Sequence, residues 1–269
     1  MTKASTGALV LLLTAPVAAA PLPAIRAVPG GLITLPVTSA EAVVTVGGQR
    51  QPIVAVDDGY RALVGIPLSA RGTIDVTLES GTATLELGTG GYREQRLTIA
   101  RQDHVTPSAE QLARYRRERA ALDAAIGAYR ERSDWQLSFP WPQPVAGHRS
   151  ATFGARRFFN DQPRSPHSGM DIAAPSGTPV AAPAAGDVTL VDDLFFNGKT
   201  VVVDHGHGVT TLYCHLDSYA VAVGDRVIPG QMLGRVGATG RVTGAHLHWS
   251  VYVGGAAIDP ALTLSAGSE

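Results

Sequence analysis

Four of the chain's eight histidines fall in three short segments whose residue types suit metal chemistry. His167 stands four residues before Asp171 in Pro166-His167-Ser168-Gly169-Met170-Asp171. His215 lies in Leu212-Tyr213-Cys214-His215-Leu216, and His246 and His248 form a His-x-His pair in Gly244-Ala245-His246-Leu247-His248-Trp249. Neutral imidazole and carboxylate are ligands that zinc prefers, and a catalytic site needs three of them plus a water. Taken singly, each segment has a plain alternative: a packed His pair on a strand, or a hydrogen-bonded His–Asp pair. Together they point to a metal site. The other histidines carry no such pattern. His205 and His207 sit in a glycine-flanked turn, and His104 and His148 in linker sequence.

The elements that must position these groups read as strands. Residues 246–253 alternate, so His246 and His248 face one way and Leu247 the other. On the same rule Tyr213 and His215 share a face and Cys214 points away with Leu212, as a small core residue rather than a ligand. Pro166, Gly169 and Pro175 exclude a regular helix around His167, so His167 and Asp171 must converge through a loop or an irregular strand. Further strands are expected at 188–191, 200–204 and 209–215, separated by the turns Asn197-Gly198, Gly206-His207-Gly208 and Gly224-Asp225. No βαβ rhythm is present, which removes a dinucleotide reading of the glycines at 234, 237, 240 and 244.

Upstream, residues 22–103 carry short apolar stretches between turn signals, at 42–46, 62–67, 74–78 and 83–87, the pattern of a small β-sandwich. A helix is expected to open at Thr106 as N-cap with Pro107 at its first position. Leu112, Tyr115, Leu122, Ile126 and Tyr129 would share one face, and Arg114, Arg116, Arg117 and Arg119 would form a solvated one, with attraction to anionic polymers the alternative. A proline-rich linker follows to His148. The resulting division is 1–19, 22–103, 104–150 and 151–262: leader, β-sandwich-like domain, helix and linker, and a carboxy-terminal antiparallel β-sheet domain with a groove. The chain as a whole is expected to be mostly β.

The 269 residues, 45% of them hydrophobic, can bury a substantial core, and a net charge of −1 gives no electrostatic case for nucleic acid. Lys3, an apolar run over 8–13 and small residues over 15–20 have the layout of a secretory signal peptide cut near Ala19. Pro16 interrupts the run, so no membrane span is expected after cleavage. Cys214 is the only cysteine, so no intrachain disulfide can form. The expected location is outside the cytoplasm, in the periplasm or cell envelope.

The segment from about Phe153 to Pro260 resembles the lysostaphin-type (LytM-type) zinc metalloendopeptidases that cut peptide cross-links of bacterial cell walls. The likeness rests on His167-Ser168-Gly169-Met170-Asp171, similar to that family's His-x-Gly-x-Asp segment, and on Tyr213-Cys214-His215-Leu216. It also rests on Val223-Gly224-Asp225, and on Gly237-Ala238-Thr239-Gly240 leading into His246-Leu247-His248-Trp249. The resemblance implies a Zn2+ site held by His167, Asp171 and His248, with His215 and His246 acting on the nucleophilic water and the developing oxyanion. It thereby selects His248 over His246 as the ligand, which spacing leaves open. It implies peptidoglycan stem peptides and cross-links as substrate, with bonds between D-alanine and a diamino acid preferred over glycine bridges. A non-catalytic activator of another wall hydrolase is the main alternative, and a scaffold with structural zinc the third; the presence of all five site residues argues against both. A protein regulator is left open.

Overall fold

The alternating stretches of the carboxy-terminal half form one antiparallel sheet. In the computed structural model, which describes residues 22–265 apart from 133, 134 and 136, its spine runs in a fixed order. The strands are Arg226–Val227, Gly186–Leu194, Gly198–Gly206, Val209–Tyr219, His246–Val253, Met170–Ala173 and His148–Ala151. Ala256–Ile258 adds to the His246–Val253 strand, and Met232–Val236 to the Val209–Tyr219 strand, itself pairing with Pro179–Ala181. The leader expected over residues 1–19 lies outside the described residues. Among those residues no helix is long and apolar enough to cross a membrane.

His246–Val253 is a central strand, and both of its faces are covered. Leu247, Trp249, Val251 and Val253 enter the main core, each fully buried. Tyr252, on the opposite face, joins a second cluster with Leu212, Cys214, Leu190 and Val202. Each buried aliphatic side chain contributes roughly 1.5–3 kcal/mol. The lid of this second cluster is the one α-helix among the described residues, Ala109–Ile126, which supplies Leu122 and Ile126.

That helix starts two residues later than the sequence suggests. Ser108 is the N-cap, its hydroxyl accepting from the Gln111 amide while the Gln111 side chain accepts from the Ser108 amide. This reciprocal capping box satisfies two otherwise orphaned amides. Thr106 and Pro107 precede it. The arginine face is solvated as expected, with Arg114 paired to Glu118 and Arg119 to Asp123.

In the amino-terminal region, strands Leu32–Val37, Gly59–Gly65 and Ile53–Val56 form one sheet. Gln49–Arg50, Thr45–Val46, Thr73–Leu78 and Gly81–Glu86 form another. Ile33, Ile53 and Val64 from the first meet Val46, Ile74 and Val76 from the second. The neighbours Leu32, Val54 and Leu63 point the other way, into the main core of the carboxy-terminal sheet. Period-two alternation thus lets one small sheet serve two cores. Gly65 marks the contact: a Cβ there would fall 2.3 Å from the Val253 carbonyl oxygen. A second link is main-chain pairing, with Glu94–Leu97 running parallel to Arg156–Phe159.

Candidate metal centre

Asp171 and His248 face each other directly in the register of Met170–Ala173 against His246–Val253. Antiparallel partners put their side chains on the same face, so Asp171 Oδ1 lies 2.8 Å from His248 Nδ1. His167 arrives from the preceding loop, its Nε2 2.9 Å from both of these atoms. Gly169 makes that approach possible. A Cβ at 169 would fall 2.5 Å from the Ser250 hydroxyl and the Trp249 carbonyl, and 2.7 Å from His248 Cε1.

Each of the three groups is oriented by a further contact. His167 Nδ1 lies 2.9 Å from the Thr152 carbonyl, which only accepts, so the proton is on Nδ1 and Nε2 presents a lone pair. His248 Nε2 contacts the Ser250 hydroxyl at 3.0 Å, leaving Nδ1 for the cluster. Asp171 turns Oδ2 away to Arg157, which donates at 2.6 Å and is itself held by Gln95 Oε1 at 2.9 Å. Burial pushes the Asp171 carboxyl up, but the adjacent His167 and His248 outweigh this and hold it well below the usual carboxylate range. Burial, offset in part by Asp171, takes His248 down to about 4. An ionised carboxylate and neutral imidazoles are the protonation states that a divalent cation needs. Three buried acceptor atoms converging on one point, each with its outer partner in place, fit zinc by the chemistry of the donor set.

His215 and His246 flank this cluster, their ring centres 4.8 Å apart and His215 6.0 Å from His248. Both use Nδ1 to donate to a carbonyl, of Thr239 for His215 and of Gly244 for His246, which leaves the Nε2 of each for other partners. His246 Nε2 is 3.8 Å from Asp171 Oδ1. Burial, then the neighbouring His246 and His248, push His215 well below its ordinary value, so it is neutral.

Cys214 points away from Tyr213 and packs with Leu212 as expected, but His215 does not keep to the Tyr213 face. Cys214, not His215, is the register partner of His248, and therefore shares its face. His215 would point to the opposite face with Tyr213. It reaches the cluster because the pairing with Gly198–Gly206 slips between Lys199 and Val201 and the His215 backbone turns left-handed, at φ 64°. Such a bulge re-aims a side chain. Cys214 remains a core residue, fully buried, with its thiol pushed up to about 12 by burial.

Sequence reasoning missed Arg157, Thr152, Thr239 and Ser250. Only Ser250 had a readable signal, since it lies two residues beyond His248 and alternation puts it on the same face. His205 and His104 also proved to be buried. His205 bridges the Ala185 carbonyl and the Thr211 hydroxyl, and His104 packs edge-on against Phe195. An open groove of about 420 Å³ leads to the cluster, and the helix and its approach form one wall through Val105, Leu112 and Tyr115.

The family model for peptidase family M23 matches residues 165–260. DD-carboxypeptidase/endopeptidase Mpg of Neisseria meningitidis serogroup B is 44% identical over 94 residues, 35% of this chain and 22% of that protein. Peptidoglycan DD-endopeptidase ShyA of Vibrio cholerae is 36% identical over 136 residues, 50% of this chain and 29% of that protein. The matches therefore span less than a third of the length of these curated relatives. The crystal structure of a candidate M23 peptidase from Pseudomonas aeruginosa aligns over 90% of this chain and 96% of that one. The sequence identity there is 34% and the TM-score 0.73.

Proposed function

The chain belongs to peptidase family M23, and from that premise we propose that it is a zinc metalloendopeptidase that hydrolyses peptide cross-links of peptidoglycan in the cell envelope. The observation that carries this reading is the convergence of His167 Nε2, Asp171 Oδ1 and His248 Nδ1 beside two further histidines with free Nε2 atoms. The similarity to proteins named as DD-endopeptidases supports D-alanine cross-links as the bond class.

His167, Asp171 and His248 would hold the zinc. When bound, zinc supplies a Lewis acid that polarises the scissile carbonyl and acidifies a water. His215 is assigned as general base: it is kept neutral by burial, and the Thr239 carbonyl fixes its proton on Nδ1, leaving Nε2 to accept. His246 is less buried, with its Nε2 3.8 Å from Asp171 Oδ1, and is assigned to donate to the developing oxyanion when protonated. Arg157 keeps Asp171 ionised and turned towards the two imidazoles.

Digestion of purified sacculi tests the reading. The wild-type chain should convert cross-linked muropeptide dimers to monomers. His167→Ala should lose both activity and zinc, and His215→Ala should lose activity by about 10²–10⁴-fold with zinc retained. Dimers left intact by zinc-loaded wild-type protein would overturn it.

A further inference from the structure

The groove beside the cluster contains two guanidinium groups with no carboxylate partner among the described residues, Arg164 and Arg241. Arg164 donates to the carbonyls of Val105 at 2.6 Å and Pro163 at 2.8 Å, and to Gln162 Oε1 at 2.8 Å. Arg241 donates to the His104 carbonyl at 3.3 Å and lies over the rings of Phe196, 4.1 Å away, and Phe159, 4.7 Å away. Successive carbonyls at 104 and 105 therefore hold both guanidiniums at the mouth of the opening that contains His167, His215 and His248. Arg241 and His215 also line a second opening, which reaches Asp171 and His246.

The other charges facing the groove are already committed. Arg157 pairs with Asp171, Arg119 with Asp123, and Glu118 with Arg114. Burial first, then repulsion from Arg164 and Arg157, brings Arg241 down to about 10. No carboxylate contributes in the other direction. Arg241 stays charged at neutral pH, and its charge is partly desolvated with no carboxylate to balance it, a condition that a bound anion relieves. A planar guanidinium fork matches a carboxylate in particular.

We propose that Arg241, with Arg164 beside it, forms a carboxylate subsite that receives a free carboxylate of the peptide next to the scissile bond and so selects acidic peptides. This rests on the peptidase reading above. In a cross-link from D-alanine to a diamino dicarboxylic acid, the carbon that bears the leaving amine also carries a free carboxylate. The subsite would grip that side of the bond while His215 and His246 address the carbonyl.

The test uses a synthetic cross-linked stem-peptide dimer in two forms, with the diamino-acid carboxylate free or converted to the carboxamide. Cleavage of both by the zinc-loaded full chain is measured, together with binding of both to the full chain carrying His215→Ala, by fluorescence anisotropy. The free acid should be preferred by about tenfold or more in kcat/KM and in Kd, the effect of one charge-assisted hydrogen bond. Arg241→Gln and, independently, Arg164→Gln should shrink that ratio, and Arg241→Lys should restore part of it. A merely structural role for either arginine would lower both peptides alike and leave the ratio unmoved, which overturns the subsite. Equal cleavage of acid and amide by the wild type overturns the subsite and leaves the peptidase reading intact. Selective binding of the acid, lost in Arg241→Gln, with no cleavage of either form supports the subsite and overturns the peptidase reading.

Discussion

Cys214 is the residue that stands opposite His248 in the sheet, and its neighbour His215 enters the site only through a left-handed backbone at φ 64°. The strand reaches the cluster in regular alternation, breaks it at one residue, and delivers an imidazole where the pleat would have placed a second core side chain. Left-handed backbone is costly for most L-residues and least so for Asn, Asp and Gly.

His215→Asn and His215→Val should therefore separate chemistry from strain. Both should lose cleavage, because neither carries an imidazole. The valine variant should unfold at lower urea, with about 1–2 kcal/mol more stability lost than for asparagine. Equal stabilities would show that the bulge relaxes when the side chain changes.

Gly169→Ala should disturb the cluster without replacing a ligand. The added methyl meets the Trp249 carbonyl and the Ser250 hydroxyl at 2.5 Å, so the loop carrying His167 must move off the His246–Val253 strand. Overpacking of this kind costs about 1–3 kcal/mol. The melting temperature and the zinc affinity, read by chelator competition, should fall together.

Arg157 and Gln95 should show a graded effect on Asp171. Arg157→Leu leaves Asp171 Oδ2 buried and unpaired, a loss of about 3–5 kcal/mol in the metal-free protein and about 10–100-fold in zinc affinity. Gln95→Leu removes only the bond that steadies Arg157, so its effect on both should be clearly smaller. The reverse order would contradict a relay from residue 95 through 157 to 171.

His205 should make stability depend on pH. Burial lowers it from an ordinary 6.5 to about 4 in the folded protein. Between those values the unfolded chain binds more protons than the folded one, so stability falls as pH drops from about 6.5 and levels off below about 4. The span is up to roughly 3 kcal/mol. His205→Gln should flatten this part of the urea-stability profile relative to wild type. The buried His215 and His248 are common to both proteins, so the difference reports His205 alone. An unchanged slope would count against the assignment.

Much of the molecule was legible in residue order. The strand at 246–253 was read with its bounds, because period-two apolar alternation is a local property that burial on one face is enough to impose. His167, Asp171 and the His246/His248 pair stood out by type and spacing, and strand alternation placed the last two on one face. The helix was legible in its apolar spacing but not at its start, since Ser108 and Thr106 are both good caps and only the reciprocal bond with Gln111 decides between them.

Other features came only from the tertiary structure. That Asp171 meets His248 depends on the register between strands separated by 77 residues. That Arg157 supports Asp171 depends on its strand being paired in parallel with Glu94–Leu97. That His215 shares a face with His248 depends on a bulge that breaks the alternation from which its direction was first inferred. Local periodicity is encoded by neighbours in sequence and survives in isolation; register, bulges and charge pairs are settled by long-range packing, where distant segments compete for the same face of one sheet.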